Sequence, residues 1–141
     1  MQKNGREEPQ FNRRDIVEVA IGACIMAFPV AATEEVWNLG TDLSVWRVLL
    51  FALASLSFLA VLIYELHGHA AFSMTQKAFL QRVAGTYGVA LLISALLLLG
   101  VDQLDLLQDP VIALKRTILV AFPASFAATA VDNFADDTKG R

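Results

Sequence analysis

The residues of this chain best placed to do chemistry are the acids that close a repeated segment. Residues 27–33 read Ala-Phe-Pro-Val-Ala-Ala-Thr and run into Glu34-Glu35; residues 121–129 read Ala-Phe-Pro-Ala-Ser-Phe-Ala-Ala-Thr and run into Asp132-Asn133. Carboxylates attract and bind cations, and Thr33, Ser125, Thr129 and Asn133 add neutral oxygens to the same stretches. Pro29 cannot donate to the carbonyl of Ile25, nor Pro123 to that of Leu119. Each helix is therefore expected to kink and to leave an acceptor for a neighbour, a water or a cation. Phe28 and Pro29, with Phe122 and Pro123, are the candidates for shaping or gating a path beside these acids.

Helical spacing assigns the acids to faces. Ala20, Ala23, Ala27, Ala31 and Glu34 form a stripe of small residues ending in a carboxylate, and Thr117, Ala121, Ser125, Ala128 and Asp132 repeat the design. Small stripes let helices approach closely and face protein rather than lipid, so Glu34 and Asp132 are both expected to point inward. Glu35 shares its face with Ile21, Ile25 and Phe28 and reads as lipid-facing up to the headgroups. Glu18 lies near the start of the first run, with Gly22 close to its face. This places Glu18 and Asp132 at one end of a path and Glu34 at the other. An acid at a helix N-terminus, where the macrodipole favours negative charge, is the simpler reading of Glu18.

A second constellation is Glu65-Leu66-His67-Gly68-His69. On a continuing helix, Glu65 and His69 would share a face, and carboxylate with imidazole can ligate a transition metal or titrate near neutral pH. A helix ended by Gly68 would instead leave Glu65, His67 and His69 solvated. Metal ligation thus has two candidate groups, Glu34 with Asp132 and this cluster. The lone Cys24 allows no intramolecular disulfide.

The elements that must position these residues are four apolar runs, 16–33, 48–64, 83–101 and 117–131, each about long enough to cross a bilayer. Hydrophobic residues make up 56% of the 141-residue chain and charged ones 18%, with a mean hydropathy of +0.54. Leu91–Leu99 is apolar on every face apart from Ser94. A soluble bundle would carry polar residues every turn. The expected fold is all-α, a single four-helix membrane domain over 1–141, with tails at 1–14 and 135–141. Its first and last helices would be proline-kinked and antiparallel. Asp15, Glu18 and Pro29 argue against a cleaved signal in the first run.

Basic residues orient the spans. Lys3, Arg6, Arg13, Arg14, Lys77, Arg82, Lys139 and Arg141 fall on one side, and only Arg47, Lys115 and Arg116 on the other. The bias puts both termini in the cytoplasm. Asn38-Leu39-Gly40 is expected to close the first helix, Gly68 to follow the second, Gly100 to end the third and Asp109-Pro110 to start the fourth. Trp37 and Trp46 should mark one interface and Tyr64 and Tyr87 the other, with 70–81 lying along the inner surface.

Four spans with Phe-Pro and a following acid in the first and last resemble a bacterial and archaeal family described only as integral membrane proteins of unknown function. The resemblance rests on Ala27-Phe28-Pro29 through Glu34-Glu35 and on Ala121-Phe122-Pro123 through Asp132-Asn133. It implies a membrane-embedded helical protein of a prokaryotic cytoplasmic membrane, and no chemistry.

No phosphate-binding loop, nucleophile elbow or His-Glu-x-x-His pair is present, which argues against an enzyme. The net charge of −3 argues against a nucleic-acid partner. Two functions from different classes fit. The first is a cation channel or transporter with no cofactor beyond a bound cation. Four helices enclose little space, so it would work as a homo-oligomer in the lipid bilayer. The second is a structural or regulatory subunit whose small stripes bind another membrane protein.

Overall fold

The computed structural model describes residues 11–73 and 75–139, and the side chains of these except 67–73 and 136–139. They form five helices: α1 Arg13–Ala31, α2 Glu34–Asp42, α3 Val45–Ser73, α4 Gln76–Gly100 and α5 Pro110–Lys139. Among the described residues there is no strand. α3, α4 and α5 each hold a stretch long and apolar enough to cross a membrane. α1 and α2 make a fourth only as a bent pair, at 81° to one another.

Local chemistry sets the ends of α1. Asn12 caps it: its side chain accepts from the Asp15 N–H and, at 2.9 Å, from the Arg13 N–H. The Asp15 side chain accepts from the Asn12 N–H at 2.9 Å, and the Asn12–Asp15 exchange is the reciprocal pattern of a capping box. At the far end, Thr33 donates to the Val30 carbonyl at 2.8 Å and Trp37 Nε1 to that of Ala31 at 2.7 Å. The last carbonyls of α1 are thus satisfied by side chains, so the helix can stop and turn without stranding polar backbone.

α1, α4 and α5 share a core of small and branched residues, Val19, Ala23, Ala27, Ala31, Ala90, Leu98, Val120, Ala124 and Ala128. Gly22 lets the α1 and α5 backbones meet: a Cβ there would stand 2.6 Å from the Ala127 carbonyl oxygen and 2.7 Å from the Ala128 Cα. Glu18 lies beside Asp132, Gly22 beside Ala127 and Ala128, and Gly40 of α2 beneath Arg116. α3 packs on the flank. Phe51 meets Phe122 with ring centroids 4.8 Å apart, Phe122 meets Phe126 at 4.9 Å, and Leu59 and Ile63 cluster with Val83 and Tyr87.

Several boundaries differ from the sequence reading, each for a local reason. Gly40 does not close the first helix; it is buried inside α2, where a Cβ would press on the Arg116 side chain. α3 runs through Gly68 to Ser73 and α4 starts at Gln76, so no separate surface segment fills 70–81. α5 runs to Lys139, into the expected tail; residues 1–10, 140 and 141 lie outside the described residues. Tyr87 is buried instead of interfacial, because Val83, Tyr87 and Leu91 form the α4 face turned to α3. There the Ser55 and Tyr87 hydroxyls lie beside one another without closing a hydrogen bond of ordinary geometry. α1 and α5 each continue through their proline as one helix, and the sharp bend comes later, at Ala32-Thr33.

Candidate functional site

Asp132 ends the small stripe of α5, whose five members Thr117, Ala121, Ser125, Ala128 and Asp132 are all buried. Only 2% of its surface is exposed. Such a carboxylate is costly unless a cation meets it. Arg82, 6% exposed, supplies the charge from α4, with Nη2 donating to Asp132 Oδ2 at 2.5 Å. Arg82 reaches this point because it begins the buried series Arg82, Thr86, Ala90, Ser94 and Leu98, spaced one helical turn apart.

α1 brings two further acids. Asp15, Glu18 and Asp132 each present a carboxylate oxygen within 4.8 Å of the others. Glu18 also accepts from Arg14 Nε at 3.1 Å, but Arg14 is largely exposed, so that bond is screened. Among these five side chains three are negative and two positive, leaving a formal charge of −1. The cluster can hold a small cation among carboxylate oxygens, with the Arg82 guanidinium as a tethered competitor for Asp132.

The other sequence-derived residues lie elsewhere. Glu34 is exposed as the first residue of α2, and Glu35 beside it is exposed too. The stripe that should have carried Glu34 inward ends at Ala31, because the chain turns there. Glu34 thus sits beyond the far end of α1, roughly 24 Å along the axis from the level of Asp15 at 1.5 Å per residue. Glu34 and Asp132 therefore do not form one metal site.

Hydroxyls of the expected path serve their own helices: Ser125 donates to the Phe122 carbonyl at 2.8 Å, Thr129 to that of Ser125 at 3.0 Å, and Thr33 to Val30. In apolar surroundings the nearest acceptor is the carbonyl a turn earlier. Asn133 is half-buried next to the site. Phe28, 63% exposed, and Pro29 face outward, whereas Phe122 packs on α3 beside half-buried Pro123, so the four do not meet as a gate. Glu65 is exposed, and the side chains of His67 and His69 lie outside those described.

Arg82 escaped the sequence reading, which counted it only as a loop charge. The signal was present: the four-residue spacing that picked out Asp132 also links Arg82 to Thr86, Ala90 and Ser94. Asp15, counted only against a cleaved signal, escaped for a similar reason.

The family model described as "Putative integral membrane protein (DUF2391)" matches residues 1–131. The chain belongs to that family. The matched stretch holds Asp15, Glu18 and Arg82 and stops one residue before Asp132. No curated protein and no solved structure matches the chain. Membership in this integral membrane family makes the bilayer the solvent for α3, α4 and α5, and the burial of Asp132 and Arg82 has to be read against it.

Proposed function

We propose that the protein is a transporter of inorganic cations, and that Asp132, Glu18 and Asp15 bind the ion while Arg82 offsets part of their charge. The observation that carries this reading is a carboxylate 2% exposed near the end of a membrane span, with two more acids within 4.8 Å of it. Intramembrane ionisable residues are expensive, and carboxylates there mark ion and proton pathways. An ion entering the cluster would displace the Arg82 guanidinium, which couples binding to a shift of α4 against α5.

The tight contact of Gly22 with Ala127 and Ala128 favours a carrier over an open channel, since it closes the α1–α5 seam. In this reading the two helices are antiparallel, their prolines soften the spans for that movement, and both termini lie in the cytoplasm of a prokaryotic cell. The protein works as a homo-oligomer, because one chain encloses too little space for a permeation path.

The reading as a structural or regulatory subunit loses its main support, because Ala23, Ala27, Ala31, Ala124 and Ala128 are spent on packing within the chain. Purified protein in vesicles loaded with monovalent or divalent cations tests the proposal. Flux above that of empty vesicles, abolished by Asp132→Asn and unchanged by Glu34→Gln, is the expected outcome. Vesicles no leakier than empty ones, for every cation, would refute it.

A further inference from the structure

The residue before the α1 cap is Phe11, and its ring crosses to another helix. A Cβ built on Gly85 of α4 would stand 2.9 Å from Phe11 Cε1 and 3.2 Å from Cδ1 and Cζ, and these are its three nearest atoms. The half-buried ring also packs on the core shared by α1, α4 and α5. A hydrophobic residue in this position often packs on the first turns of its own helix. Here it ties the start of α1 to α4. The socket is local: a Cβ at Gly88, the next glycine along α4, meets nothing within 4 Å.

Two residues carry the tie into the acid cluster. Phe11 is bonded to Asn12, whose N–H donates to Asp15 Oδ2 at 2.9 Å and whose side chain accepts from the Asp15 N–H. Asp15 in turn presents a carboxylate oxygen within 4.8 Å of those of Glu18 and Asp132. Gly85 lies about one turn along α4 from Arg82, the arginine that meets Asp132. The socket for the ring and the guanidinium that competes for Asp132 therefore belong to one helix. A movement of α4 that withdraws Arg82 also pulls on Phe11 and, through Asn12, on Asp15.

We propose that Phe11 docked on Gly85 is a latch that positions Asp15 in the cation cluster and ties it to the movement of α4. The inference rests on the reading of Asp132, Glu18 and Asp15 as a cation site.

The test measures Mn²⁺ binding by paramagnetic resonance and amide hydrogen exchange, both on the full chain in nanodiscs. Phe11→Ala, which removes the ring, and Gly85→Leu, which fills its socket, should each weaken Mn²⁺ binding by roughly tenfold, the loss typical of a residue that orients a metal ligand. In an Asp15→Asn background neither should cost anything more, because their effect runs through that carboxylate. Gly88→Leu should bind as the wild type does. Without any ion, Phe11→Ala and Gly85→Leu should speed exchange of the Asn12 and Asp15 amides and leave the α5 amides at wild-type rates, which a general loss of packing would not do. Losses that add to that of Asp15→Asn, or wild-type exchange at Asn12 and Asp15, would overturn the latch while leaving the cluster intact. A wild-type protein that binds no Mn²⁺ would sink the cluster itself, and the latch with it.

Discussion

Two arginines hold the two ends of α5, and they are held in opposite ways. Arg82 meets a carboxylate, Asp132, among further acids. Arg116 meets neutral oxygens: Nε donates to the Trp37 carbonyl at 3.2 Å, and Nη1 to the Gln103 carbonyl at 2.9 Å and to Gln103 Oε1 at 3.1 Å. At the Arg116 end the acids Glu34, Glu35, Asp42, Asp102, Asp105 and Asp109 are all exposed. One end therefore turns its anions inward on a cation. The other turns them out to solvent and fastens its cation to backbone. A guanidinium on carbonyls fixes geometry among α2, α5 and the 101–109 connection. A guanidinium on a buried carboxylate is an ion pair that another cation can compete for.

The contrast is broken most sharply by removing one charge from each end. Arg82→Ala leaves Asp132 buried beside Glu18 and Asp15, and a destabilisation of about 3–5 kcal/mol is expected from stranding a buried charge. Replacing both partners, Arg82→Leu with Asp132→Leu, should recover most of that loss, measured by denaturant unfolding in mixed micelles. If the double variant is as unstable as the single one, the pair is not the reason for the loss.

The glycines beneath each end give a smaller effect and rank the two contacts. Gly22→Ala drives a Cβ into the α5 backbone, which cannot yield without moving α1, and should cost about 1–3 kcal/mol. Gly40→Ala meets Arg116 Cγ instead, so it should loosen the Arg116 side chain from its carbonyls without moving a helix backbone, and should cost less than Gly22→Ala. Equal losses in thermal unfolding would mean that Arg116 is as rigid as backbone.

Arg116→Ala is expected to be the mildest of the charge removals, about 1–2 kcal/mol. The carbonyls it leaves are neutral and only partly buried, within reach of water. A loss as large as that for Arg82→Ala would erase the distinction between the ends.

Much of the fold was legible in the residues. Three of the four apolar runs are uninterrupted helices, and α5 starts at Pro110 and α4 ends at Gly100, where proline and glycine chemistry says they should. The Thr117-to-Asp132 stripe could be read from spacing because α5 stays helical throughout. The same logic failed for Glu34, since periodicity assumes an unbroken helix and the chain breaks at Ala32-Thr33. Nothing in the run Val30–Thr33 announces that break. It depends on Trp37 and Thr33 folding back onto the carbonyls of Ala31 and Val30. The partner of Asp132 was hidden for a different reason: Arg82 is 50 residues away in sequence.

The amino-acid sequence by itself determined that this protein is helical and lives in a membrane, because apolar length and satisfied backbone leave a chain in hydrocarbon few alternatives. It also determined which faces of α1 and α5 are narrow enough to meet. Only the tertiary structure decided which acid goes inside. A carboxylate can be buried only where another helix delivers a cation to it, and that delivery depends on how α4 lies against α5, which no spacing along a single helix encodes.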